Sequence, residues 1–589
     1  MIKMKGIKKI IGVCAMLAIA MQAMGAKSTS LPVTITQSDG TRLTVYGHGD
    51  EYLSWHTTAD GVLLVQKGYD YYIATIDKEG NLIATTQLAH EAGARSEAEE
   101  ALVYAQNKDA FYNSFASQKQ LAVQRSIGIG STSLPYFPHT GSPKALVVLV
   151  QFQDVKFVST DPVATFDNYL NGTEIEINDI LQSRNHGSVK QYFHDASGGK
   201  FAPQFDIKGP VTVSQNSAYY GKDDEENSSN KDLKLSEMLK EACELALSNI
   251  TISDYDANGD GKVDLVYFIY AGYSQSVAGN SADDIWPKSG VTDLTINDTS
   301  QKVRYGINNE LNYYPGKEFS SYPDIIKRIN GIGLFCHEFS HTMGLPDLYP
   351  TDASAQIDDQ AMEYWSLMDG GEYVDNGYTP TPYTPWEKEV MGWQTLTAIT
   401  LPQSYTLNNG DACKVEGANG EYVILHNIQQ TGWSSKLLGH GLLVYRIDYP
   451  KTSVNMGDAP NNTAGKPAVT IVPADGKLLT SYNVTNQEDV KLYMASHAGD
   501  PYPGTSNVTE INTIKLNKST LERIFTNITE TDGVVTFTLA NTTGIEEAAT
   551  AQPQQAERIY TVDGRYVGKD MESLTKGVYI RGNKKFVVK

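Results

Sequence analysis

The stretch Gly333 to Tyr349, GLFCHEFSHTMGLPDLY, constrains this 589-residue chain more than any other. His337 and His341 stand four residues apart, so on a helix both imidazoles leave one face and can share one tetrahedral metal ion. Glu338 follows the first histidine directly and is placed to take a proton from a metal-bound water. Gly344 offers a left-handed residue on which the helix can end, and Leu345-Pro346 cannot continue it. The chain then reverses and delivers Asp347 as the expected third ligand. That leaves the fourth position of a zinc ion open, which separates a catalytic site from a structural one. A carboxylate at Asp347 can instead cap the turn. An HExxH string arises by chance on the order of once per hundred chains of this composition, and below roughly one in ten thousand once the following Gly and Asp are required. The apolar run Gly331 to Phe335 would bury the first half of the helix.

The surroundings read as several domains. Ala145 to Phe152 (ALVVLVQF) has the near-continuous apolar pattern of a buried central strand. Helical patterns follow around Pro162 to Leu170 and Leu233 to Leu247, and another strand-like run is Leu265 to Tyr270. Strands and helices therefore interleave across an α/β body. Before it, short strands alternate with the turn signals Asp39-Gly40, Asp60-Gly61 and Glu79-Gly80. A polar stretch from Ala89 to Gln124 reads as a helix or a loose linker, and Gly128 to Pro143 marks a boundary. After residue 400 the pattern turns to short strands with Asn, Gly and Asp turns, as in a β-sandwich-like module.

Four lysines (Lys3, Lys5, Lys8, Lys9), an apolar core from Ile10 to Ala20 and small residues at Ala23, Gly25 and Ala26 make a signal peptide with its cleavage region. The expected division is 1–26 signal peptide, 27–130 propeptide-like region, 131–400 catalytic domain, 401–543 β-module, and 544–589 linker and tail. No later segment is apolar for long enough to span a bilayer. A formal charge of −21 disfavours nucleic acid and anionic membranes, which need clustered Lys and Arg. Cys243, Cys336 and Cys413 are too few and too scattered for a disulfide framework, and Cys336 is expected as a small buried hydrophobe.

A second constellation is Asp254, Asp256, Asn258, Asp260 and Asp264. Oxygen side chains at alternate positions, with glycines for a sharp turn, can converge on calcium. The pattern departs from an EF-hand, because the twelfth position from Asp256 is Tyr267 rather than glutamate. A turn that binds nothing has the same composition.

HEFSHTMGLPD resembles the extended HExxHxxGxxD motif of the M6 metallopeptidases, the metzincin-like relatives of immune inhibitor A. The resemblance implies a multidomain α+β protein, with a metzincin-like zinc peptidase domain between an N-terminal β-rich propeptide and a β-sandwich-like module. It implies a secreted zinc endopeptidase in which Glu338 is general base and His337, His341 and Asp347 hold zinc. Similar acidic loops in the family favour calcium as a second ion. Trp365 to Asp369 (WSLMD) then looks like the methionine turn, with Met368 as a floor beneath the metal. The stretch from Pro385 to Trp393 resembles the closing helix of such domains. Several metzincins carry a tyrosine two residues after that methionine to stabilise the oxyanion. Here the position is Gly370, so Tyr373, Tyr378 and Tyr383 are the nearby candidates. The propeptide has no cysteine after Cys14 with which to block zinc, so His48, Asp50 or His56, or plain steric cover, would have to do so.

The tail, IYTVDGRYVG and KGVYIRGNKKFVVK, is similar to C-terminal sorting tails of secreted Bacteroidetes proteins. It implies recognition by an outer-membrane secretion machinery and an extracellular or surface location on a Gram-negative cell. Expected partners are protein or peptide substrates. The rival readings are a zinc and calcium surface protein with narrow, mucin-like glycoprotein recognition, and a calcium-stabilised adhesin that kept the metal helix without catalysis.

Overall fold

The computed structural model describes residues 23–29, 32–51, 53–114, 134–173, 184–223, 231–277, 279–312, 328–356, 361–449, 454–484, 486–521, 524–540, 559–561, 566–568, 574–581 and 584–588. Its central sheet has the order β1 (Ala23–Gly25), β11 (Lys288–Ile296), β12 (Thr299–Asn309), β10 (Leu265–Tyr270), β8 (Lys144–Gln151), β9 (Gln204–Thr212). β8 is parallel to β9 and β10, and β10 is parallel to β12. β11 alternates in direction, pairing antiparallel with β12 and β1.

The apolar run at β8 is continuous because both faces of the strand are covered. Ala145, Val147 and Leu149 enter the core that holds the HExxH helix, while Leu146, Val148 and Val150 enter the core under helix Leu235–Ala246. β10 divides the same way: Tyr267 and Ile269 face the metal-motif helix, and Val266 and Phe268 face the other layer. This two-sided burial fixes the height at which the helix Ile332–Thr342 sits on the sheet.

The N-terminal region is an antiparallel meander in simple chain order: β2 (Val33–Thr36), β3 (Arg42–Gly49), β4 (Ser54–Thr58), β5 (Leu63–Lys67), β6 (Asp70–Ile76) and β7 (Leu82–Leu88). Alternate residues Leu43, Val45, Leu64, Tyr71 and Ile73 fill its own small core. Part of the ambiguous polar stretch is helical, Glu97–Ala105, started by a capping box between Ser96 and Glu99. The rest of that stretch beyond residue 114 and residues 128–133 of the Gly128 to Pro143 boundary lie outside the described residues.

After residue 396 a five-stranded and a three-stranded sheet face each other. Val415, Val423, Leu425 and Val444 of the larger sheet meet Phe525, Val535, Phe537 and Leu539 of the smaller one. The opposite face of the larger sheet, through Ile424, Leu443, Tyr445 and Ile447, joins the core of the metal-motif helix. The module is therefore packed into the α/β body. It also holds a helix, Gln487–Gly499, where the sequence reading expects only strands. That helix buries Tyr493, Ser496, His497 and Gly499, so no apolar stripe betrays it.

Ile559–Thr561, Tyr566–Gly568, Gly577–Arg581 and Lys584–Val588 form a four-stranded antiparallel tail sheet. The Ala/Gln/Glu/Pro linker before it lies outside the described residues, as do residues 1–22 of the expected signal peptide. Among the described residues no helix is long and apolar enough to cross a membrane.

Candidate active site

The HExxH segment forms the helix Ile332–Thr342, every residue of which is buried. It ends where its sequence demands: Gly344 has φ 107°, and its N–H donates to His341 O at 2.9 Å. Near the other end the helix runs against the segment Gly370–Gly377 so closely that a Cβ on Gly333 would stand 2.0 Å from Glu372 O. Neither backbone can give way without moving the histidines. Gly333→Ala is expected to cost about 1–3 kcal/mol, the usual overpacking range, read as a lowered Tm.

His337 Nε2 and His341 Nε2 lie 3.2 Å apart. Asp347 Oδ1 is 3.3 Å from the first and 3.2 Å from the second. A tetrahedral ion with bonds of about 2.0–2.1 Å has edges of about 3.3–3.4 Å, so these three atoms form one face of such a tetrahedron. Each ring is oriented from behind. His337 Nδ1 donates to Leu367 O at 2.9 Å and His341 Nδ1 to Leu345 O at 2.7 Å. With the protons held on Nδ1, both Nε2 lone pairs point at the shared centre. Neither Asp347 oxygen has a hydrogen-bond partner among the described residues, although the side chain is only 2% exposed. Two nitrogen lone pairs and a buried carboxylate converging on one point fit a divalent cation and little else. Among the described residues no other group of three His, Cys, Asp or Glu side chains converges this way.

The turn Trp365 to Asp369 lies behind this cluster. Leu367 O takes the His337 proton, and Met368 is fully buried, its O accepting Leu348 N–H at 2.8 Å. Ser366 Oγ donates to Glu387 Oε1 at 2.6 Å, and Glu387 closes a capping box with Thr384 at the start of helix Pro385–Val390. The helix Pro385–Val390 thus anchors the turn that orients His337.

Glu338 is fully buried, and burial raises its carboxyl to about 8 against the opposing pull of His341 and Ser289. Its Oε2 lies 2.9 Å from Ser289 Oγ on β11. Its Oε1 accepts the backbone N–H of Ala26 at 3.0 Å. Ala26 directly follows β1, whose Ala23, Met24 and Gly25 pair with Gly290, Ser289 and Lys288 of the edge strand. An extended segment of the chain therefore runs along β11 and presents a peptide nitrogen to Glu338.

Of the three candidate tyrosines only Tyr373 reaches this segment, donating to Lys27 O at 2.8 Å. Tyr378 donates to Ile329 O at 3.3 Å, and Tyr383 pairs with Ser340 Oγ, both side chains buried. The expectation that His48, Asp50 or His56 covers the metal is corrected. His48 Nε2 pairs with Thr57 Oγ1 and its ring stacks on Trp55. Asp50 Oδ1 accepts Leu53 N–H at 3.3 Å, and His56 packs edge-on against Tyr71. The segment at Ala26 stands at the cluster instead.

In the second constellation, Asp256 accepts N–H groups from Gly259, Asp260 and Gly261, Asn258 accepts from Asp260, and Asp260 accepts from Lys262. Asp264 accepts Ala257 N–H and pairs with Asn258 Nδ2. Asp254 lies in the short helical turn Ile252–Asp254 that leads into the loop. Cys243, Cys336 and Cys413 are free and buried.

Several residues at the site carry no local signal. Ser289 is one serine in an ordinary strand. Glu372 lies with Oε2 3.8 Å from His337 Nδ1, and neither of its oxygens has a hydrogen-bond partner among the described residues. Burial, with Glu338 and Asp347 nearby, pushes its carboxyl well above the usual range. Lys27, Glu363 and Asp369 form a buried ion cluster. Their separation in sequence hides them.

Comparison with known proteins agrees with this geometry. Residues 136–395 match the family model described as immune inhibitor A peptidase M6, catalytic domain. The chain is 29% identical over 278 residues to immune inhibitor A of Bacillus thuringiensis subsp. alesti, covering 42% of this chain and 39% of that protein. It is 28% identical over 227 residues to the pre-pro-metalloprotease PrtV of Vibrio cholerae serotype O1 (strain M66-2), covering 35% of this chain and 23% of that one. The matches thus span less than half the length of either relative. The family model covers the domain that carries the His337, His341 and Asp347 cluster, and that domain is similar to the catalytic domains of M6 metallopeptidases.

Proposed function

We propose that the chain is a zinc-dependent endopeptidase that hydrolyses peptide bonds of extracellular proteins, with Glu338 as general base. The observation that carries this reading is the triangle of His337 Nε2, His341 Nε2 and Asp347 Oδ1, with edges of 3.2–3.3 Å, beside a buried glutamate. His337, His341 and Asp347 would hold the zinc, which when bound supplies a Lewis acid for the scissile carbonyl and lowers the pKa of water. The edge strand β11 holds the substrate backbone extended, as it holds β1. Glu338 takes the proton from the attacking water and passes it to the leaving nitrogen. The 3.0 Å bond from Ala26 N to Glu338 Oε1 marks where that nitrogen sits. Ser289 keeps the glutamate carboxylate aimed, and Tyr373 holds a carbonyl of the substrate backbone beyond the scissile bond.

The test is incubation of casein with the purified chain freed of the segment at Ala26 and Lys27, and sequencing of the fragments. Cuts at internal bonds are expected, and intact casein would overturn the reading. Export belongs to the same proposal, supported by the leader pattern before Ala26 and by the resemblance of the tail to sorting sequences. Calcium in the 254–264 loop belongs to it too, supported by oxygen side chains at alternate positions. Removal of calcium with zinc kept saturating is expected to lower the Tm by several degrees, as loss of about 1–2 kcal/mol does in a domain of this size. An unchanged Tm would dismiss calcium from the loop.

A further inference from the structure

The side chain of Lys27 enters a pocket that its own sequence neighbours do not build. Its ammonium lies 2.6 Å from Asp369 Oδ1, 2.9 Å from Glu363 Oε2 and 3.0 Å from Ser481 Oγ. An ammonium has three hydrogens, and these are three acceptors. The rings of Tyr349 and Tyr482 stand 6.0 and 5.6 Å from Nζ, within the range of weak cation–π attraction. Lys27 is 3% exposed, Glu363 3% and Asp369 0%. Burial alone would lift the Glu363 carboxyl, but Lys27 and His497 hold it down at about 2, while Asp369 is pushed up to about 6 by burial.

The pocket is held rigidly from two domains. Glu363 Oε1 accepts Thr480 Oγ1–H and Ser481 N–H, and its Oε2 also accepts Tyr493 O–H. Asp369 Oδ2 accepts the N–H groups of Met362 and Glu363. Asp369 follows Met368 in the turn behind His337, so the pocket and the metal cluster share one support. Thr480, Ser481 and Tyr493 belong to the module after residue 400, which thereby completes the cleft.

Placement gives the pocket its meaning. Ala23 to Gly25 pair with the edge strand, Ala26 offers its nitrogen to Glu338, and Lys27 is the next residue. A substrate aligned the same way would be cut before the residue at the Ala26 position. Its second residue past the cut would occupy the place of Lys27. We propose that Glu363, Asp369 and Ser481 form a specificity subsite for a lysine side chain at the second position after the scissile bond, and that in the chain that retains residues 23–26 Lys27 is a tethered occupant of that subsite. The inference rests on the peptidase reading above. An arginine fork would not match three acceptors grouped around one point, so lysine is preferred over arginine.

The test uses the full chain carrying Lys27→Glu, which sets a carboxylate against Glu363 and Asp369 and expels the tethered segment. Quenched fluorescent peptides of sequence Ala-Met-Gly-Ala-X-Ser-Thr are compared with X as lysine, arginine or norleucine, alongside casein. The lysine peptide is expected to be cut between Gly and Ala with kcat/KM about thirty-fold or more above the norleucine peptide, as for loss of one partner of a buried charge pair. Arginine should fall between them. Adding Glu363→Gln should collapse the lysine-to-norleucine ratio towards one, and Ser481→Ala, the milder change, should reduce it several-fold. Casein cleavage with equal rates on the lysine and norleucine peptides would overturn the subsite and leave the peptidase reading intact. No cleavage of casein or of any peptide would overturn the peptidase reading and the subsite with it. Lys27 labelling gives a readout without catalysis: in the unsubstituted chain its amine should acetylate at least ten-fold more slowly than exposed Lys78, 88% exposed in its side chain, because an amine this buried is reached only through local opening. Equal rates would contradict the tethered contact.

Discussion

Glu338→Gln is expected to lower kcat/KM for peptide hydrolysis by about 10²–10⁴-fold, the usual contribution of a positioned acid–base group, while the zinc content stays at the unsubstituted level. Glu338 supplies no atom to the triangle of ligand atoms, so its replacement leaves metal affinity alone. The amide is nearly isosteric: its oxygen can still accept Ala26 N–H and its NH2 can donate to Ser289 Oγ, so the fold should hold. What disappears is the group that, in the proposed mechanism, moves a proton between water and leaving nitrogen. Parallel measurement of zinc and turnover separates this role from a structural one. Loss of zinc with activity would make Glu338 a support of the metal site, and unchanged turnover would remove it from the mechanism.

Asp347→Ala should have the converse signature. Its oxygens have no hydrogen-bond partner among the described residues, so the side chain contributes little to the fold except through a cation. Removal should lower zinc affinity by more than the roughly 10–100-fold that loss of an outer support costs, and activity should fall with it. Retention of zinc at full affinity would mean that Asp347 caps the turn, the alternative that the sequence alone leaves open. The two variants together divide the site: one keeps metal and loses turnover, the other loses both.

What sequence made legible follows the range of the forces involved. The helix at Ile332–Thr342, its end at Gly344 and the return of the chain to Asp347 are set by residues within a few turns of one another. Helical periodicity and the left-handed glycine sufficed to read them. β8 was legible for a similar reason, since burial on both faces leaves an unbroken apolar run. The helix Gln487–Gly499 was not, because it packs polar and glycine residues where a stripe would be sought. Nor was the partner of Glu338: Ser289 lies on an edge strand 49 residues away. The cluster around Lys27 joins residues 336 and 342 positions apart, and no local pattern reports such a meeting. Three tyrosines looked equivalent in sequence, and only the path of the chain distinguishes Tyr373, which meets Lys27 O, from Tyr378 and Tyr383 in the core. The sequence also suggested His48, Asp50 or His56 at the metal because they can ligate. None of the three joins the ligand triangle, and the main-chain nitrogen of Ala26 takes the place beside Glu338.

The most direct test of the central claim is a zinc titration of casein cleavage by the Lys27→Glu chain after complete chelation. Cleavage should vanish with the metal and return in full as zinc reaches one ion per chain. The Asp347→Ala chain should recover nothing at that stoichiometry. Cleavage that survives chelation, or that returns equally in Asp347→Ala, would contradict a catalytic zinc held by His337, His341 and Asp347.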